Sequence, residues 1–170
     1  MNESASSLIS GSLVIEPASP EMLPDLLRIE EACFSAPWSR KMFEAELTGN
    51  PFARFLVARL VNRDAMAKTI VGYLCFWIVF DEVRLMNLAV IEAERRRGIA
   101  TALVSRALGI GMAAGAVRAV LEVRASNRAA RALYERMGFR PFSTRARYYT
   151  DPVEDAVLMH MEPLVVEAAP

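Results

Sequence analysis

Glu122 stands in the run Val120-Leu121-Glu122-Val123-Arg124, a carboxylate among strand-forming apolar neighbours. Such a group is costly to bury unless it is solvated or paired. It falls near the C-terminal end of its predicted strand, where ligands gather in open α/β sheets. A salt bridge with an arginine such as Arg124 is the competing role. Tyr134 shares the inward side of a predicted helix with Ala130, Leu133 and Met137. Its ring is expected to be buried, and its hydroxyl then needs a partner; simple core packing is the competing role. The third feature is the turn Arg95-Arg96-Arg97-Gly98-Ile99-Ala100-Thr101. A strand ending in Leu88-Ala89-Val90 feeds this turn, and a helix starts from it. The first N–H groups of a helix lack internal partners and carry partial positive charge, so they bind phosphates. Gly98 permits close backbone approach and Ala100 keeps the next position small. The arginines add charge suited to a pyrophosphate, and Thr101 offers a hydroxyl.

The elements around these residues follow from periodicity. Ser12 to Glu16 reads as an opening strand. Pro20 to Cys33 reads as a helix with Met22, Leu23, Leu26, Leu27 and Ile29 on its apolar side. A second helix follows Pro37, with Ser39 as N-cap and Met42, Phe43 and Leu47 facing inward; Asn50-Pro51 ends it. Arg54 to Leu60 is a strand and 62–68 a turn. Thr69 to Phe80 and Val83 to Val90 form a hairpin around Asp81-Glu82. Gly98 to Ala114 is a helix with Ile99, Leu103, Ala107 and Ile110 on one side, and Ala119 to Arg124 a strand. Arg128 to Met137 is a helix with Asn127 as N-cap and Gly138 just past its end. Arg140 to Tyr149 and Ala156 to Met161 close the chain as strands. The fold class is α/β (α+β): a mixed central sheet flanked by helices, with a parallel pair at the strand–helix–strand centre.

With 170 residues, 54% of them hydrophobic and 24% charged, the chain has the composition of one folded domain. The Ser-rich stretch 1–11 reads as a mobile leader without the features of a secretory signal. Residues 12–162 read as the domain and 163–170 as a tail. The apolar run Ile70 to Phe80 is shorter than the ~20 residues a membrane span needs. Cys33 and Cys75 make no disulfide framework, Cys75 reads as a small buried hydrophobe, and a reducing cytoplasm suits this usage. His160 is the only histidine, so there is no metal-ligand spacing. It reads as structural, and no histidine stands near either cysteine to make an acyl-enzyme plausible. Net charge is zero, but from Glu94 onward twelve arginines face eight acids, and before it eight basic residues face twelve acids. A basic second half suits an anionic ligand and an acidic first half a cationic one; scatter over a solvated surface accounts for the pattern equally well. No basic patch of the nucleic-acid-binding kind is present. Neither a P-loop nor a G-x-G-x-x-G fingerprint occurs.

Arg95-x-x-Gly98-x-Ala100 resembles the acyl-CoA signature of the GNAT acetyltransferases. Further segments resemble one branch of that superfamily, the ribosomal-protein-alanine N-acetyltransferases. They are Phe34-Ser35-Ala36-Pro37-Trp38-Ser39, Asn87-Leu88-Ala89-Val90, Leu121 to Asn127, Ala132 to Phe139, Arg147-Tyr148-Tyr149 and Glu154-Asp155-Ala156. The likeness spans about Leu13 to Met161, and the short connection between Tyr149 and Glu154 departs from it. The resemblance implies acetyl-CoA as cosubstrate. Backbone groups at Leu88, Ala89 and Val90 would hold the acetyl-pantetheine arm. The pyrophosphate would lie on Arg96, Arg97, Gly98, Ile99, Ala100 and Thr101, with a further contact at Asn127. It implies Glu122 as the general base that prepares an amine for direct attack, and Tyr134 as the acid that protonates the departing sulfur. Phe34, Trp38 and Tyr149 become candidates for a peptide entrance, with core packing as the alternative. The acceptor implied is the N-terminal α-amine of a protein, an alanine on a small-subunit ribosomal protein. Acetylation of a lysine or small amine, and a non-catalytic acyl-CoA-binding module, are the rival readings; a sensor would need neither Glu122 nor Tyr134.

Overall fold

The computed structural model describes residues 11–62 and 68–165. Most of the expected leader and the tip of the expected 62–68 turn lie outside them, as does the end of the expected tail. Seven strands form one sheet in the order β1-β2-β3-β4-β5-β7-β6. They are β1 Gly11–Pro17, β2 Ala53–Asn62, β3 Lys68–Val79, β4 Glu82–Val90, β5 Arg118–Arg124, β6 Arg140–Thr150 and β7 Val153–Met161. The first four pair antiparallel in sequence order. β4 and β5 pair parallel, which demands a crossover; helix α3, Ile99–Ala113, provides it. β7 pairs antiparallel with both β5 and β6, so β1 and β6 are the edges.

Helices cover both faces. On one lie α1, Leu23–Cys33, and α2, Arg40–Glu44; Leu26, Ile29 and Phe43 pack there on Phe55, Val57, Tyr73 and Ala89. On the other lie α3 and α4, Arg128–Arg136; Leu103, Ala107, Tyr134 and Phe139 pack there on Leu85, Val90, Leu121 and Val123. Strand alternation therefore sends Asn87 and Ala89 toward α1, and Leu88 and Val90 toward α3.

Several boundaries differ from the sequence reading. The first helix opens with a 3₁₀ turn, Pro20–Met22, and becomes α-helical only at Leu23, because prolines at 20 and 24 lack the N–H that interior helical positions need. Ser39 does cap α2, accepting from the Met42 N–H, but α2 passes into a π turn at Ala45–Gly49. Met42 does not face inward: it is 46% exposed, whereas Phe43 is fully buried. Neighbouring positions on a helix point about 100° apart, and in this short helix Phe43 takes the core-facing direction while Met42 turns to solvent. β1 begins at Gly11 and β7 at Val153. Beyond β7, the Leu164 side chain is buried and its N–H donates to the Val117 carbonyl at 2.7 Å.

Candidate active site

β4 and β5 are hydrogen-bonded only from Glu82–Arg118 to Leu85–Leu121. Beyond that pair they part. A bulge in β4 marks the place: Cys75 pairs with Asn87 but Phe76 with Leu85, leaving Met86 as the extra residue. Bulges bend the strand that carries them, and this one lies where β4 leaves β5. Leu88, Ala89 and Val90 keep their β3 partners while their β5 side is open.

A cleft of about 900 Å³ occupies the opening. Leu88, Ala89, Val90, Arg96, Gly98, Ile99, Ala100, Thr101 and Asn127 all line it. These are nearly all the ligand-binding positions expected from sequence. Gly98 is the N-cap of α3 at φ +78° and Arg96 has φ +63°. The chain thus turns twice through left-handed backbone before α3, and the N–H groups of Ile99, Ala100 and Thr101 start a helix with no internal acceptors. Arg97 is the exception: it does not line the cleft, and its guanidinium is ion-paired with Glu94 one turn back. Arg95 serves the turn itself, its Nε donating to the Val90 carbonyl at 2.9 Å.

The opposite wall comes from α4. Asn127 caps it by accepting from the Ala130 N–H at 3.1 Å. Ala129, Ala130, Ala132, Leu133 and Arg136 line the cleft. Sequence reasoning overlooked Arg136 and the alanines, although the small-residue run Ala129-Ala130-Arg131-Ala132 was the available signal: short side chains let a ligand lie against a helix. Cys33 and Phe34, at the end of α1, close the cleft from the other side. The Cys33 thiol lies 3.5 Å from the Val90 carbonyl.

Glu122 and Tyr134 belong to opposite faces of the sheet. On β5, Leu121 and Val123 pack on the α3–α4 side, so Glu122 points to the α1 side. Tyr134 packs among the α3–α4 residues, its ring edge-on to Phe139 at 5.7 Å. It is 6% exposed and is not among the cleft-lining residues. Burial, reinforced by nearby Tyr149, pushes its phenol well above the usual tyrosine range, so it holds its proton throughout neutral and moderately alkaline pH.

Glu122 is partly open to solvent and ion-paired, but with Arg145 at 2.7 Å, not with the expected Arg124. Arg124 is engaged elsewhere. It donates to the carbonyls of Asp151 and Pro152 at 2.9 and 3.1 Å and lies 4.1 Å above the Tyr149 ring. Arg145 reaches Glu122 because β6 is heavily bulged: Arg145 pairs with Ala156 but Tyr149 with Glu154, four steps against two. Arg147, at φ +52°, closes the bulge by donating its N–H to Asp155 Oδ1 at 2.7 Å. Tyr148 joins the group; hydrogen bonding to the Glu122 carboxylate is the main cause of its raised phenol pKa. Burial first, and Glu122 next, push Tyr149 up to about 12. The carboxylate thus sits with the Tyr148 and Tyr149 phenols and the Arg145 guanidinium, one residue past the last β4–β5 pair.

One buried group had no warning from sequence. Glu30 on α1 is 1% exposed. It accepts from the Tyr73 hydroxyl, from the Trp38 N–H at 2.8 Å and from Asn87 Nδ2 at 3.2 and 3.3 Å.

A parallel pair that splays past a bulge, with a helix N-terminus at the mouth of the gap, offers unpaired strand groups beside a helix start able to hold an anion. The family model for the acetyltransferase (GNAT) family matches residues 23–139, and the chain belongs to that family of acetyltransferases. It is 37% identical over 139 residues to the [ribosomal protein bS18]-alanine N-acetyltransferase of Escherichia coli K12, covering 81% of this chain and 88% of that one. It is 34% identical over 139 residues to a protein of Bacillus subtilis 168 described as a putative enzyme of the same kind, covering 82% and 88%. The crystal structure of the E. coli ribosomal-protein-S18-alanine N-acetyltransferase superposes with a TM-score of 0.77 at 30% identity, covering 94% of this chain and 99% of that one. Arabidopsis thaliana NAA60 in complex with acetyl-CoA shares the fold, with a TM-score of 0.77 at 22% identity, covering 89% and 98%. Among the described residues, no helix is long and apolar enough to cross a membrane.

Proposed function

We propose that this chain transfers acetyl from acetyl-CoA to the N-terminal α-amine of a protein, the N-terminal alanine of a small-subunit ribosomal protein. The observation that carries this reading is agreement with one relative at two levels. The E. coli enzyme that acts on ribosomal protein bS18 matches in sequence across most of both chains and in fold across nearly all of its length. The rival acceptors, lysine and small amines, have no comparable support. A ribosomal protein acceptor also suits work in the cytoplasm.

The cleft fits the cosubstrate. Its volume, the open edge of β4 at Leu88, Ala89 and Val90, and the unpartnered start of α3 match an extended arm ending in a pyrophosphate. Arg96, Gly98, Ile99, Ala100, Thr101 and Asn127 would hold the phosphate end, with Arg136 and, after breaking its pair with Glu94, Arg97 adding charge. Acetyl-CoA supplies the acyl group as an activated thioester. Glu122 takes a proton from the acceptor ammonium, directly or through water, so that the neutral nitrogen forms the new N–C bond. Tyr134 gives its proton to the departing sulfur as the C–S bond breaks, and the second proton that the nitrogen loses on becoming an amide leaves through water and restores the phenol. The two lie on opposite faces of the sheet, and the gap between β4 and β5 is the passage between them. Arg145 must yield its place on Glu122 to the incoming ammonium, an exchange of one cation for another.

The test compares one alanine-initiated peptide carrying an internal lysine, with its terminus free or blocked. Mass spectrometry is expected to find acetyl on the α-nitrogen of the free form and none on the blocked form. Efficient modification of the blocked form would transfer the assignment to the lysine reading.

A further inference from the structure

The Glu30 cluster is distinct from the acid–base pair, and its chemistry is one-sided. Trp38 N–H, Tyr73 O–H and Asn87 Nδ2 all donate to the same carboxylate. Asn87 Nδ2 also donates to the Tyr73 oxygen at 2.8 Å, so the tyrosine accepts from Asn87 while it donates to Glu30. The carboxyl group accepts at both oxygens and so serves all three donors. Burying it on the sheet face that carries the apolar cluster of Leu26, Ile29, Phe43 and Tyr73 is costly, and an apolar residue would serve packing as well. Its donors come from three places: β3, β4 and the connection between α1 and α2. On β4 the contact is Asn87, one residue past the bulge and one before Leu88. On the connection it is the backbone of Trp38, four residues after Phe34, which lines the cleft.

We propose that Glu30 is a positioning residue for the acceptor. Its carboxylate fixes the 34–39 connection against β4 at the point where β4 leaves β5, and so sets where the first residues of a peptide lie relative to the thioester. The inference rests on the N-terminal acetyltransferase reading. Glu30→Gln keeps the shape but sets an amide donor against donors. Hydrogen bonds to charged groups are strong enough that losing this set raises KM for a peptide by about tenfold or more. Tyr73→Phe removes one donor and leaves the Trp38 and Asn87 contacts, so it produces a smaller rise in the same direction.

The experiment measures three quantities for wild type and both variants, at a temperature where melting curves show each folded. They are KM and kcat for an alanine-initiated peptide, KM for alaninamide, and acetyl-CoA affinity by calorimetric titration. Alaninamide presents the same α-amine with no following chain to meet the connection. The expected result is a raised peptide KM, with the alaninamide KM and acetyl-CoA affinity within about twofold of wild type. If Glu30→Gln does not fold, Tyr73→Phe decides by the same criteria. An unchanged peptide KM overturns the inference, as does an equal loss for peptide, alaninamide and acetyl-CoA, which would mark general loosening. A wild type that acetylates peptides while the variants match it overturns this inference alone. A wild type that acetylates no free peptide terminus overturns the proposed function and this inference with it.

Discussion

At the scale of single residues, the competing roles of Glu122 separate by magnitude. Its ion pair with Arg145 leaves the arginine 55% exposed, and exposed pairs contribute about 0–1 kcal/mol. Glu122→Gln should therefore cost little stability. A general base contributes ~100- to 10,000-fold in rate, so the same variant should lose turnover on that scale. Partial rescue at high pH is expected, where more acceptor is already neutral. Tyr134→Phe should lose a similar factor without rescue, since alkali supplies no proton to the sulfur. Near-normal turnover in Tyr134→Phe, or a lower melting temperature in Glu122→Gln with retained activity, would return those residues to structural roles. The pH profile of the wild type gives a further check. Because burial raises the folded pKa of Tyr134 above the ordinary tyrosine value, its proton is retained, not lost, as pH climbs through the usual range. Turnover measured against pH should rise and then level, with no alkaline decline below about pH 10. A descending limb near pH 8 would exclude Tyr134 as the acid.

At the scale of elements, the site depends on where α3 begins and how closely it lies on β4. Gly98 holds φ +78° at the helix start, where a side chain costs about 1–2 kcal/mol. Gly98→Asp adds that strain and a negative charge facing the phosphates, so calorimetric titration should show weakened acetyl-CoA binding in a folded protein; equal affinity would remove the assigned phosphate site. Gly111 matters for a different reason. A Cβ there would stand 2.1 Å from Val83 Cγ2, in a fully packed contact between helix and strand. Gly111→Ala should cost about 1–3 kcal/mol by overpacking, read as a drop of roughly 2–4 °C in Tm for each kcal/mol. An unchanged Tm would mean that α3 slides freely on the sheet. The start of α3 was legible in the sequence because the strand, the Arg-rich turn and the helix are contiguous. The bulge at Met86 was not, since nothing local distinguishes it from an ordinary strand position. Nor was Arg145 as the partner of Glu122: they are distant in the chain, and a two-residue excess in β6 decides which arginine arrives. Glu30 was equally hidden, a glutamate beside Glu31 whose polar partners include a tyrosine on β3 and an asparagine on β4.

Across the whole molecule, the sheet divides the work. The α3–α4 face provides the cleft wall, the proposed phosphate turn and the proposed acid, while the α1 face provides the proposed base and the connection held by Glu30. The parting of β4 and β5 joins the two. That division makes one claim central: a protein α-amine approaches from the α1 side and meets the thioester in the gap. The most direct measurement is a competition in which peptides differing only in their first residue, each with an internal lysine, share one reaction with acetyl-CoA. Tandem mass spectrometry then locates every acetyl group. The alanine-initiated peptide should be consumed first, with acetyl on its terminal nitrogen and the lysines unmodified. Acetyl placed on lysine ε-nitrogens, or no peptide product while a small free amine is acetylated, would contradict the account.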